Sequence, residues 1–372
     1  MTTPPTPAAT PIQRTSRDPQ VLRARLETWL RTAVGDPGAT ADDLAGTAAN
    51  GMSSDTVLFR ATWSDQDGTH DERLVARIAP DAADVPVFPS YDMRAQFETI
   101  RLVHELTDAP VPTPLWCEPD PAALGAPFFV MRRVDGQVPP DVLPYPFGDN
   151  WLYDADPADQ RRLQDATVDA LAAVHSIRDA ATVFPFLDGR AEGDTPLRRH
   201  VAHTRNLANY VAAHGPISAL ITDGFEWLDR HWPDHESGPV LSWGDSRIGN
   251  VIYADFAPAA LLDWEMAGLG PRELDVVWLF GSHLVFQHLT ELLGLPGMPD
   301  FLRPGDVIER YAARTGHEPR DLDFYLVYAV LQWAIVLTRT GQRQVHFGER
   351  EAAADPDDYV FHKELLRSLL TD

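Results

Sequence analysis

The sequence predicts an α+β fold in two lobes, a small antiparallel-sheet lobe followed by a larger, mainly helical lobe. Three observations carry that expectation. Stretches rich in β-branched and aromatic residues, bounded by turn signals, crowd the first third of the chain. Apolar residues at helical spacing dominate the rest. One short run of strands, Val240 to Leu262, interrupts the helices. A length of 372 residues suits two folding units at roughly 150 residues each.

In order along the chain, residues 1–20 read as a disordered tail, because Met1 to Ile12 is rich in Pro, Thr and Ala and has no apolar stretch of the kind an export signal needs. Val21 to Ala33 spaces Val21, Leu22, Leu26, Trp29 and Leu30 as a helix does. Asp55 to Trp63 is strand-like, Ser64 to Gly68 is a polar turn, and Leu74 to Ile78 is a short returning strand, together a hairpin with a long loop. Ala95 to Leu106 is a helix with Phe97, Ile100, Leu102, Val103 and Leu106 apolar, ended by Pro110-Val-Pro112. Pro127 to Val134 is a continuous apolar strand between Gly125 and Gly136. The lobes then divide as 21–135 and 136–372. Asp159 to Ile177 and Gly224 to Trp232 are helical, Val240 to Trp243, Val251 to Tyr253 and Ala259 to Leu262 are short strands, and Glu273 onward is mostly helix. The apolar run Phe324 to Thr338 is shorter than the roughly 20 residues that span a bilayer and reads as a buried core helix.

Composition excludes several functions. Thirty-one basic against 55 acidic residues give a formal net charge of −24, which disfavours nucleic acid and anionic membrane surfaces as partners and favours cationic ones. The single cysteine, Cys117, rules out an internal disulfide framework and a Cys-based zinc site, and fits a cytoplasmic location. Nothing in the sequence sets an oligomeric state.

The chemistry concentrates in Leu241 to Glu265. An apolar strand delivers Asp245 to a loop, Asn250 follows five positions later at the start of a second strand, and a hairpin through Phe256-Ala-Pro258 returns Asp263. The ends of a hairpin lie close together, so Asp245, Asn250 and Asp263 should converge. Phosphoryl transfer needs such a trio: one carboxylate to orient or deprotonate a hydroxyl, and an amide oxygen plus a second carboxylate to hold Mg²⁺ on nucleotide phosphates. The five-residue offset is that of the protein-kinase catalytic loop, with the later Asp in the part of the DFG aspartate.

Gly244-Asp245-x-Arg247-x-Gly249-Asn250 with Leu262-Asp263-Trp264-Glu265 resembles the aminoglycoside phosphotransferase/choline kinase family, and more narrowly the bacterial branch similar to the kinase-like domain of acyl-CoA dehydrogenase fusion proteins. Val85-Pro-Val-Phe-Pro, Phe147-Gly-Asp-Asn-Trp151 and Gly270-Pro-Arg-Glu-Leu-Asp275 extend the likeness over most of the chain. The resemblance implies a two-lobed protein-kinase-like fold with a five-stranded type of small lobe that binds the nucleotide. It also implies ATP and Mg²⁺ as cofactors, Asp245 as catalytic base, and Asn250 and Asp263 as metal ligands. The implied acceptor is a hydroxyl-bearing small molecule, an aminoglycoside-type antibiotic or other cation, a choline-like amine or a hydroxyacyl metabolite.

Such a lobe needs a loop over the phosphates, a cation on the third strand and a carboxylate on the helix. Asn50-Gly51-Met52-Ser53-Ser54 supplies small residues, and the hydroxyls of Ser53 and Ser54 would replace part of the missing glycine contacts. The only lysine is Lys363, so Arg77 in Val75-Ala76-Arg77 takes the cation's place, with Glu98 as its expected partner. Adenine should lie against apolar side chains beside the backbone of Met131 to Arg133. His175 reads as a satisfied core histidine, Asp275 as a brace for the catalytic loop, and Tyr145 to Trp151 as a substrate-side lid. Gly268-Leu-Gly270-Pro271 fails as a dinucleotide loop, since no βαβ unit follows. The competing reading is a kinase-like nucleotide-binding protein without catalysis, for which the replacement of lysine by Arg77 speaks.

Overall fold

A computed structural model describes residues 17–46, 54–141, 143–189 and 191–371. Helix α1 (Pro19–Val34) opens within the last residues expected to be tail, because Asp18 accepts hydrogen bonds from the Gln20 and Val21 amides and Pro19 sits at the first helical position. It buries Leu26, Trp29 and Leu30 against the small-lobe sheet, with the Trp29 ring edge-on to Phe128 at 4.8 Å. That sheet has five antiparallel strands in the order β1-β2-β3-β5-β4: β1 (Thr40–Gly46), β2 (Asp55–Asp65), β3 (Gly68–Ile78), β4 (Pro114–Glu118) and β5 (Phe128–Arg132). Helix α2 (Met93–Leu106) packs on β4 and β5.

The β2–β3 hairpin differs from the sequence expectation. Its register runs unbroken from Asp55↔Ile78 to Asp65↔Gly68, so the loop is tight and β3 begins six residues before Leu74. The polar run His70 to Arg73 lies in the strand because its charges pair across it, Arg60 Nε with Asp71 at 2.7 Å and Arg132 Nε with Glu72 at 2.8 Å.

Beyond Arg132 the chain crosses to the large lobe. Gly136 has φ +153°, and a Cβ there would collide with the carbonyl oxygen of Tyr253 and with Ile252. That close approach lets Gln137 bridge Tyr253 through two backbone hydrogen bonds of 2.8 Å. The large lobe contains α3 (Pro157–Val174), α4 (Ala180–Val183), α5 (Pro196–Ala213), α6 (Ala219–Arg230), β6 (Val240–Ser242), β7 (Val251–Ala254), β8 (Ala257–Leu261), β9 (Gly268–Gly270), α7 (Glu273–Leu292), α8 (Pro304–Thr315), α9 (Leu322–His346) and α10 (Lys363–Thr371). Helices α7 and α9 pack on each other at its centre. The length and composition of α9 would also suit a bilayer, but Phe324, Val327, Tyr328, Val330, Leu331 and Ile335 are buried within the lobe. Gly268 to Gly270, which superficially suggested a dinucleotide loop, is a strand paired with β6.

A second crossing point lies between β3 and α2. Arg339 of α9 donates Nε and Nη2 to the Pro86 carbonyl at 3.0 and 2.9 Å, and Val87 beside it is buried.

Candidate active site

Trp243 directly follows strand β6, and its indole Nε1 donates to the Leu262 carbonyl at 2.8 Å, which ties the strand to the chain just ahead of Asp263. Gly244 has φ +89°, a backbone that side chains rarely adopt, and a Cβ on it would run into the Met266 carbonyl. The turn it permits leads into Asp245, whose carboxylate faces Arg247 and Trp278. A single 3-10 turn, Ile248–Asn250, follows, and Gly249 leaves space for the Asp141 carboxylate and the Arg247 guanidinium. The β7–β8 hairpin turns at Asp255 and Phe256, both left-handed, and returns the chain to Asp263, itself at φ +61°.

The trio converges as expected. Asn250 donates its side-chain N–H to the Asp245 carbonyl at 3.1 Å, which leaves Oδ1 as its atom for a cation. The Leu262 amide donates to the Asn250 carbonyl at 2.8 Å, which locks the two strands in register beside Asp263. The Asp245 side chain is 15% exposed, and desolvation pushes its carboxyl above the ordinary range; Arg247 opposes this and the nearby Asp263 charge adds to it. Arg247 donates Nε to Asp245 Oδ1 and Oδ2 at 3.0 and 3.2 Å and pairs through Nη1 with Asp141. Trp278 donates Nε1 to Asp245 Oδ1 at 2.7 Å.

Asp275 and His175 take the places expected of them. The Asp275 carboxylate accepts from Ser242 Oγ at 3.0 Å, the Trp243 amide at 2.7 Å, the Gly244 amide at 2.9 Å and His175 Nε2 at 2.8 Å. His175 is buried, with Tyr311 Oη 2.6 Å from its Nδ1.

Arg77 lies at the floor of the interface, but its partner is not Glu98. Its Nη2 pairs with Asp263 and its Nη1 donates to Thr56 Oγ1 at 3.0 Å. Burial works against its charge, yet Asp263 and Glu265 outweigh burial and leave the group more basic than usual. Glu98 instead accepts from Arg101 at 2.9 Å, and its charge acts on Cys117 of β4. The reason is helical phase: Gln96 and Ile100 line the interface, and Glu98, two positions from each, lies on nearly the opposite face.

A cavity of about 520 Å³ opens between the lobes above this floor. Leu58, Val75, Phe129, Met131, Ile252 and Leu261 give it apolar walls, and Arg77, Asn250 and Asp263 line its polar end. Met131 and Arg133 both border it, and the Arg133 amide donates to the Arg73 carbonyl at 2.9 Å. Ser54 does not: it is buried just before β2, and Thr56 reaches the cavity in its stead. Ser53 lies outside the described residues. The supposed lid is anchored, with Tyr145 buried, 2.7 Å from His283 Nδ1 through its hydroxyl and stacked on that ring.

One amide oxygen and one carboxylate are hard oxygen donors of the kind Mg²⁺ takes when phosphates complete its shell. Among the described residues no cluster of three or more His, Cys, Asp or Glu forms a metal site of protein ligands alone. The residues therefore fit a nucleotide-borne Mg²⁺, which Asn250 and Asp263 would hold.

Sequence reasoning missed Thr56, Gln96, Asp141 and Trp278. Only Trp278 left a signal, standing one helical turn after Asp275.

A two-lobed fold with this constellation at the lobe interface defines a kinase-like phosphotransferase. The chain belongs to the phosphotransferase enzyme family, whose model matches residues 47–295. It is 30% identical over 163 residues to human acyl-CoA dehydrogenase family member 11, a match covering 43% of this chain and 19% of the much longer relative. Among solved structures it is similar to a Ralstonia eutropha protein assigned to the aminoglycoside phosphotransferases, with TM-score 0.63 and 20% identity over 93% of this chain and 96% of the other. It is also similar to a choline/ethanolamine kinase family protein from Mesorhizobium loti, with TM-score 0.54 and 15% identity over 93% and 95%. At those identities the structures speak for the shared fold.

Proposed function

We propose that the protein transfers the γ-phosphoryl group of ATP to a hydroxyl of a small molecule. The observation that carries this reading is that Arg77, Asn250 and Asp263 line the polar end of an apolar, nucleotide-sized cleft, with Asp245 behind them, bonded to Asn250 through its carbonyl. The apolar walls suit a purine ring, and the backbone of Met131 to Arg133 suits its polar edge. Arg77 is a permanent charge with a planar fork that matches phosphate oxygens. Mg²⁺, held by Asn250 and Asp263, would neutralise phosphate charge as it develops. Asp245 orients the acceptor hydroxyl and takes its proton, and burial makes it a stronger base than a surface carboxylate. Placement and charge neutralisation supply most of the acceleration, since such transfers ask for little covalent chemistry from the protein.

The strong acidic charge favours a cationic acceptor. The kinship with acyl-CoA dehydrogenase fusion proteins adds hydroxyacyl compounds to the acceptors worth screening. The test is transfer of labelled phosphate from ATP across aminoglycosides, choline analogues and hydroxyacyl thioesters, run with Asp245→Asn beside the wild type. The variant should lose transfer and keep its Mg²⁺-dependent thermal shift with ATP; transfer at the wild-type rate would remove Asp245 from its role.

A further inference from the structure

Helix α7 holds the catalytic loop with two residues one turn apart. Asp275 takes the loop's backbone amides, and Trp278, three positions on and so on the same face, aims its indole N–H at the loop's carboxylate. Trp278 is 4% exposed, and its ring lies parallel to Trp333 of α9, centroids 5.7 Å apart and 6° between planes. Trp333 is itself fixed, donating Nε1 to Ser282 Oγ at 3.0 Å. The indole therefore has no room to swing, and its donor is a fixed point in the site.

From the other side, Arg247 reaches Oδ1 at 3.0 Å and Oδ2 at 3.2 Å, and Asp141 holds that guanidinium in turn. An ionised carboxylate offers about four lone-pair positions over two oxygens. Oδ1 receives Trp278 and the shorter leg of the Arg247 contact, whereas Oδ2 receives the longer leg, with the Asn250 amide also acting on the carboxylate. Oδ2 is the oxygen with capacity for an incoming hydroxyl.

We propose that Trp278 is a positioning residue for phosphoryl transfer, fixing the rotation of the Asp245 carboxylate so that Oδ2 faces the acceptor. This rests on the reading of Asp245 as the acceptor's base. In the step concerned, the acceptor oxygen bonds to the γ-phosphorus and the bond from that phosphorus to the β–γ bridging oxygen breaks. ADP departs with the bonding pair, and the hydroxyl proton passes to Oδ2. Trp278 touches neither substrate. An indole N–H only donates, so unlike a hydroxyl or an imidazole it cannot accept the proton in transit.

Trp278→Phe keeps an aromatic ring and removes the donor. With ATP and Mg²⁺ as probe and water as acceptor, ADP release should show kcat lowered about ten- to hundredfold, the fold-change for losing one hydrogen bond to a charged group. KM for ATP should stay within about twofold, because the lost contact acts only on the transfer step. In an Asp245→Asn background the same substitution should change the residual rate little, as expected of residues acting as one unit. A wild-type kcat in Trp278→Phe, or an equal loss in both backgrounds, overturns the proposal. Should that variant fail to fold, 3-benzothienylalanine at 278 preserves the bicyclic shape without the N–H and carries the same expectations. If the wild type releases no ADP to water, a crystal structure of the variant decides the positioning role: a turned Asp245 carboxylate upholds it and an unturned one overturns it.

Discussion

The Arg77–Asp263 pair joins the lobes, and its strength can be worked out. The two side chains are 10% and 13% exposed, so removal of either leaves the other charge largely out of water. Breaking a buried pair in this way typically costs about 3–5 kcal/mol, while removing both partners is often close to neutral. Arg77→Ala strands Asp263 beside Glu265, a second carboxylate that already acts on this site, and should cost roughly 3–5 kcal/mol. Asp263→Ala leaves Arg77 with Glu265 near and should cost less, roughly 2–3 kcal/mol. The double variant should then be no worse than Arg77→Ala alone, a coupling of at least about 2 kcal/mol. At roughly 2 °C per kcal/mol for a chain of this size, Arg77→Ala melts about 6–10 °C early. Urea unfolding of the four proteins measures the cycle. A double variant destabilised by the sum of the singles would refute the pair as a tie between lobes.

Two further outcomes are expected. Gly244→Ala must place a Cβ against the Met266 carbonyl at a left-handed φ, so it should lose about 2–4 kcal/mol of stability, and the displaced Asp245 should lower phosphate transfer about a hundredfold; a variant with unaltered melting and rate would show the turn to be permissive. Burial holds His283 and His362 neutral, each lowered from 6.5 to about 4, so their contribution is full above about pH 6.5 and is lost as pH falls through 4, on the order of 3 kcal/mol per histidine; a urea midpoint unchanged between pH 7.5 and 4.5 would contradict this.

The convergence of Asp245, Asn250 and Asp263 was legible because they sit in one short segment and a hairpin makes their distances local. Arg77 was legible from its place at the end of a strand in a chain almost empty of lysine. Its partner was not, because Met93 to Leu106 carries apolar residues on more than one face, and spacing alone cannot say whether Gln96 or Glu98 looks toward the cleft. The early part of β3 was hidden for a related reason. Asp71 and Glu72, adjacent and so on opposite faces of the sheet, pair with Arg60 and Arg132, and only the neighbouring strands disclose that partnership. Asp141 and Trp278 lie 104 and 33 positions from Asp245, and contacts at such separations leave no periodic trace in a single chain.

The carboxylate of Asp275 has four donors around it and no lone-pair position to spare. An ionised carboxylate only accepts, so the 2.8 Å contact has His175 donating from Nε2, with Nδ1 2.6 Å from the phenol of Tyr311. The string Tyr–His–Asp has the outward look of a hydrolase relay, yet its carboxylate is already spent on the backbone amides of Trp243 and Gly244 and on Ser242. Even the near-isosteric exchange of this aspartate for asparagine would turn one face of an acceptor into a donor aimed at other donors.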